Sequence, residues 1–71
     1  MPELSRRDVL ERYIANDVRN LADIHPGRQD LLLRVTADCA KRYVEAMDFG
    51  DAVLLREAEG NLRLAVKQLW T

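Results

Sequence analysis

Residues 31–48 read Leu31-Leu32-Leu33-Arg34-Val35-Thr36-Ala37-Asp38-Cys39-Ala40-Lys41-Arg42-Tyr43-Val44-Glu45-Ala46-Met47-Asp48. Wound at about 100° per residue, Leu32, Leu33, Val35, Ala37, Cys39, Ala40, Tyr43, Val44, Ala46 and Met47 cover about 200° of a helix surface. The polar strip left over is narrow: Arg34, Asp38, Lys41, Glu45 and Asp48. A helix with so broad an apolar face needs cover on two sides. This stretch therefore predicts a central helix packed by both of its neighbours in the chain.

The punctuation on either side supplies those neighbours. Downstream, Gly50 is suited to a left-handed stop and Asp51 to a cap, which predicts a third helix over 51–70. Leu55, Ala58, Leu62, Ala65, Val66 and Leu69 share an arc of about 100° if that helix runs through Gly60-Asn61 unbroken, with Leu54 on its edge. Upstream, Pro26 biases His25 away from helical backbone and Gly27 follows it. The central helix is thus predicted over 29–48, with either Pro26 as its first residue or Asp30 as its cap. The first helix is predicted over 6–24. Ser5 and Asp8 form an S-x-x-D capping box, and Leu4 and Val9 take the positions of a hydrophobic staple. Leu10, Ile14, Val18 and Leu21 lie within about 80° of each other on its surface. No run shows the alternation of a strand. The expected fold is all-α, a three-helix bundle with short loops forming a single domain over 1–71.

Bulk properties narrow the function classes. The chain has 71 residues, 48% hydrophobic and 32% charged, with eleven basic and twelve acidic side chains. That size is marginal for a single core, and such domains often recruit a disulfide, a metal or a second subunit. Cys39 is the only cysteine, so no disulfide forms within the chain. The other soft or borderline ligand is His25, so no metal or other cofactor is expected. Good helix packing, a partner chain, or both are left.

Acidic and basic residues balance along the whole chain, which opposes nucleic acid and anionic membrane as partners. Arg outnumbers Lys nine to two; Arg suits interface ion pairs better than Lys, but a GC-rich genome gives the same bias, and a bacterial source is expected. The opening Met1-Pro2-Glu3 has neither the basic nor the apolar region of a signal peptide. No apolar run approaches the roughly 20 residues that span a bilayer. With a lone thiol, these features lead to the expectation of a cytoplasmic protein.

Met47-Asp48-Phe49 looks like the Met-Gly-Phe loop of ubiquitin-associated domains. The segment Asn61-Leu62-Arg63-Leu64-Ala65-Val66-Lys67-Gln68-Leu69 is similar to their third helix, with Arg63 where an acid is usual. The resemblance implies a protein-binding surface at Met47, Phe49 and the Leu64–Leu69 end. It also implies a helix break at Gly60, where the phase of the apolar residues implies continuity.

Five residues are candidates for contact with a partner. Asp17 falls inside the apolar arc of the first helix. Either the arc is shallow there and the carboxylate reaches water, or it pairs with an Arg, with Tyr43 or with a group from a second chain and fixes register. Val53, Gly60 and Leu64 form a thin second stripe on the third helix, and the glycine would let another helix approach closely. Two exposed aliphatics on a helix are also ordinary. Trp70 either closes the end of the bundle or stands out as an anchor.

Cys39 reads as a small buried hydrophobe and His25 as a loop or capping residue. No nucleophile motif, phosphate loop or paired carboxylates in a cleft are present, so no catalytic residues are expected and the protein is read as a non-enzyme. The expected function is that of a small interaction module or regulatory subunit that self-associates as a homodimer, or binds another protein, through apolar helix faces. The alternative is a nucleic-acid-binding regulator using Arg6, Arg7, Arg12 and Arg19 of the first helix.

Overall fold

The computed structural model describes residues 4–70; the opening Met1-Pro2-Glu3 and the final Thr71 lie outside the described residues. Three helices follow one another: α1 over Arg6–Asp23, α2 over Gln29–Phe49 and α3 over Ala52–Leu69. The local chemistry of each end accounts for these limits. Ser5 is extended, and its hydroxyl accepts from the Asp8 backbone N–H at 3.2 Å, satisfying one orphan donor of the first turn. Gly50 ends α2 at φ 82°, a left-handed conformation that costs glycine little. The Asp51 carboxylate then caps α3 by accepting from the backbone N–H groups of Val53 and Leu54, at 3.0 and 3.2 Å.

α2 starts at Gln29, as expected, but neither Pro26 nor Asp30 takes the role foreseen for it. Arg28 holds the cap position without a side-chain cap bond, and Gly27 turns the chain at φ 93°. Asp30 sits in the first helical turn, where its carboxylate accepts from the Arg28 guanidinium at 3.2 and 3.1 Å. Pro26 lies in the turn before the helix.

α3 runs through Gly60-Asn61 without a break. The break implied by the likeness to ubiquitin-associated domains is absent because the apolar phase is continuous there. Gly60 faces open space on the outer side, so it costs α3 only helix propensity.

The chain folds up, down and up, and α2 packs on both α1 and α3, more extensively on α3. Its core has two apolar clusters. One joins Leu10 and Ile14 to Ala46, Leu54 and Ala58, with Tyr43, Phe49 and Leu55 packed against it. The other joins Leu21 to Leu32, Val35, Cys39 and Ala65, with Ile24, Leu62 and Leu69 beside it.

Two helices are rotated from expectation. On α1 the buried row is Leu10, Ile14, Asp17 and Leu21, whereas Val18 is exposed. On α3 it is Leu54, Ala58, Asn61 and Ala65, whereas Val66 is exposed. In both, a polar residue completes the 4-3-4 row that faces the neighbouring helices. The cover of α2 also falls short of what its apolar arc asked for. Leu32 and Val35 are buried, but Leu33, Val44 and Met47 remain 59%, 52% and 50% exposed. Two neighbours cover two sides of α2, and the third side faces solvent.

Candidate interaction surface

The polar residues that interrupt the rows of α1 and α3 come from the middle of each helix, between the residues of the two apolar clusters. Asn61 is buried, and its side-chain amide donates to the Ile14 backbone carbonyl at 2.7 Å. Asp17 is 4% exposed, and its Oδ2 has no hydrogen-bond partner among the described residues. Burial pushes the Asp17 carboxyl above its ordinary range, the Arg42 charge pulls it back, and Asp38 pushes it up further. Arg42 lies with its guanidinium 4.4 Å from the centroid of the Tyr13 ring and its Nη1 3.6 Å from Glu45. Its Nε is buried and has no hydrogen-bond partner among the described residues.

Cys39 is wholly buried and free. Its thiol is pushed up to about 11, mainly by desolvation and further by the Asp17 charge. A thiol so poorly ionised is a weak nucleophile. Asp17 thus lies inside the bundle, under the charge of Arg42 but without an ion pair to it among the described residues.

The remaining candidates are on the outside. Gly60 and Leu64 of α3, with Ala15 and Val18 of α1, line a groove of about 640 Å³ floored by Ile14 and Asn61 and edged by Glu57. Val53 is exposed seven residues before Gly60 on the same side of α3, beyond this groove. Trp70 is 85% exposed just past the end of α3, so it does not close the bundle. Among the residues of the ubiquitin-associated likeness, Met47 and Leu64 are half-exposed and Leu69 is half-buried. Phe49 is half-buried, with the Arg6 guanidinium 5.9 Å from its ring centroid.

The first-helix arginines have different surroundings. Arg7 donates to Asp51 at 2.7 Å and to Glu11 at 3.3 Å, and Arg6 sits over Phe49. Arg12 and Arg19 flank a shallow hollow with Tyr13, Ala15 and Asn16. A further hollow at the α1–α2 turn is lined by Leu21, Ile24, His25, Pro26, Gln29 and Leu32 among others. Among the described residues, no group of three His, Cys, Asp or Glu side chains could hold a metal ion, and no helix is long and apolar enough to cross a membrane.

Among the described residues, α2 carries an exposed apolar row that the sequence pattern does not single out. Leu33, Ala37, Ala40, Val44 and Met47 recur at spacings of four, three, four and three. That is the seam period of a coiled coil, in which every member faces the same way. The spacing is legible from sequence, but it lies merged with the buried row Leu32, Val35, Cys39 and Ala46 in one wide arc. Only the positions of α1 and α3 separate the two rows.

No protein family, curated protein or solved structure matches this chain.

Proposed function

We propose that this chain is a small cytoplasmic, non-enzymatic interaction subunit that self-associates through apolar helix surface. The observation that carries the reading is the exposed apolar side of α2, where Leu33, Val44 and Met47 are each half or more in solvent. Single exposed aliphatics are common, but several in register on one helix side form a patch that water disfavours and a second surface would cover. The groove at Val18, Gly60 and Leu64 offers a second, smaller apolar surface of the same kind. The polar groups in the middle of the bundle support a structural role, since Asn61 and Asp17 are held inside it.

Sedimentation equilibrium of the full chain from micromolar to millimolar concentration tests the reading. The expected result is a weight-average mass rising above the 8.2 kDa of one chain. A mass that stays at one chain throughout that range would remove self-association as the function.

A further inference from the structure

Resting on that reading, we infer that the partner of α2 is α2 of a second copy of this chain, packed antiparallel along Leu33, Ala37, Ala40, Val44 and Met47. Three features of the row lead there. Its 4-3-4-3 spacing is what two helices need to keep one seam in contact as they cross at a shallow angle. The row runs over fifteen residues, fourteen rises of 1.5 Å, about 21 Å of helix. Its large members stand at the ends and its small ones, Ala37 and Ala40, in the middle, so two copies laid head to tail can approach closely at their centre.

Charge decides the direction. One edge of the row carries Arg34, Lys41 and Asp48 at seven-residue intervals, and the other carries Gln29, Thr36 and Tyr43. In an antiparallel pair like edges face each other. Arg34 then meets Asp48 of the second copy, and the twofold axis repeats that ion pair. The two Lys41 side chains meet at the axis, where their long stems let the ammonium groups diverge into solvent. In a parallel pair the charged edge would face the uncharged one, and Asp30, the next position of the row, would face Asp30 of the second copy. Like charges at that seam are repulsive, so the antiparallel pair is favoured. One helix pair covers little area, below the roughly 1,200 Å² of stable standard complexes, so the dimer is weak and exchanging.

The test is sedimentation equilibrium on the full chain and its variants, with circular dichroism confirming that each stays helical. These side chains are exposed, so replacing them does not disturb the core. Val44→Lys is expected to weaken the dimer at least tenfold. Arg34→Glu and Asp48→Arg are each expected to weaken it about threefold or more. The double variant R34E/D48R is expected to return to wild-type affinity. The two positions lie fourteen residues apart on one helix, about 21 Å, so rescue requires contact between copies in the antiparallel sense. A dimer untouched by Val44→Lys but lost in Leu64→Lys would place self-association on the α1/α3 groove and overturn the inference while leaving the proposed function standing. Loss in Val44→Lys without charge-swap rescue would overturn the antiparallel assignment. A wild-type chain that never dimerises would overturn the inference and the proposed function together.

Discussion

The Asn61 amide donates to the Ile14 carbonyl across 2.7 Å of buried space, tying the middle of α3 to the middle of α1. A bond of this kind fixes how the helices sit along one another, because a shift by one turn would leave the amide facing apolar side chains. Asn61→Ala should lower stability by about 1–2 kcal/mol, a typical loss for a buried hydrogen bond and its packing. For a chain this short, that is a melting temperature lower by roughly 4–8 °C per kcal/mol. Asn61→Asp should be worse at neutral pH, because it removes the donor and adds a buried carboxylate. Thermal denaturation followed by circular dichroism reads both, and an unchanged midpoint in Asn61→Ala would show the bond to be dispensable.

Asp17 should cost the fold stability at neutral pH. Its folded pKa is raised above 3.8 by burial, so the folded chain holds the proton more tightly than the unfolded one. The sign follows: from this group, stability is highest below pH 3.8 and falls as pH rises through the raised pKa. Asp17→Leu should therefore be more stable than wild type at pH 7, by about 1 kcal/mol, and the difference should shrink towards pH 3. Because Asp17 is buried within its own bundle, the solution mass should not change. Urea titrations at several pH values measure the gap. A destabilised variant at pH 7 would mean that attraction to Arg42 outweighs the cost of burial.

Asp51 works in the opposite direction. Arg7 holds its carboxyl below the ordinary 3.8, helped by the capped N–H groups of α3. Its contribution is present in full above pH 3.8 and is lost as pH falls through the lowered pKa. Asp51→Ala should lower the melting temperature at pH 7 more than Arg7→Ala, since it removes the helix cap as well as the ion pair. Equal effects of the two changes would assign the whole contribution to the pair.

Cys39 should be silent to thiol reagents in the native protein. Its thiol is pushed up to about 11 and its side chain has no solvent exposure. Alkylation at pH 8 should be slow in buffer and complete within minutes in denaturant. The same shift predicts stability falling between pH 9.0, the ordinary thiol value, and about 11, because only the unfolded chain ionises freely there. Rapid native labelling would mean that the α1–α2 packing opens easily.

Gly60→Ala should stabilise the monomer by about 0.5–1 kcal/mol. The position is inside α3, its backbone is not left-handed, and an added Cβ meets nothing within 4 Å. The α2 seam is untouched by the change, so the dimer constant should stay the same. Chemical denaturation and sedimentation together test this, and a lower dimer affinity would reveal a role for the α3 surface.

Much of this molecule is legible in its residues alone. Ser5 and Asp8, Pro26-Gly27 and Gly50-Asp51 mark the helix ends within about two residues, because capping and left-handed turns are local chemistry set by a few neighbouring residues. The continuity of α3 through Gly60 is legible too, since an apolar phase that runs unbroken across a glycine leaves no reason to interrupt the helix. The burial of Cys39 follows from its place at the centre of an apolar arc.

What the sequence could not decide is which residues within a wide arc face a neighbour. Periodicity reports the mean direction of greasy surface, but the rotation of each helix depends on the two others. A shift of about 30° on α1 exchanged Val18 for Asp17, and one of about 60° on α3 brought Asn61 into the interior. The placement of α1 and α3 left Leu33, Val44 and Met47 of α2 outside while Leu32, Val35 and Cys39 went in. Local chemistry determined where the helices start and stop; tertiary packing alone decided which side of α2 has no partner within the chain, because two neighbouring helices cannot cover three sides of a third.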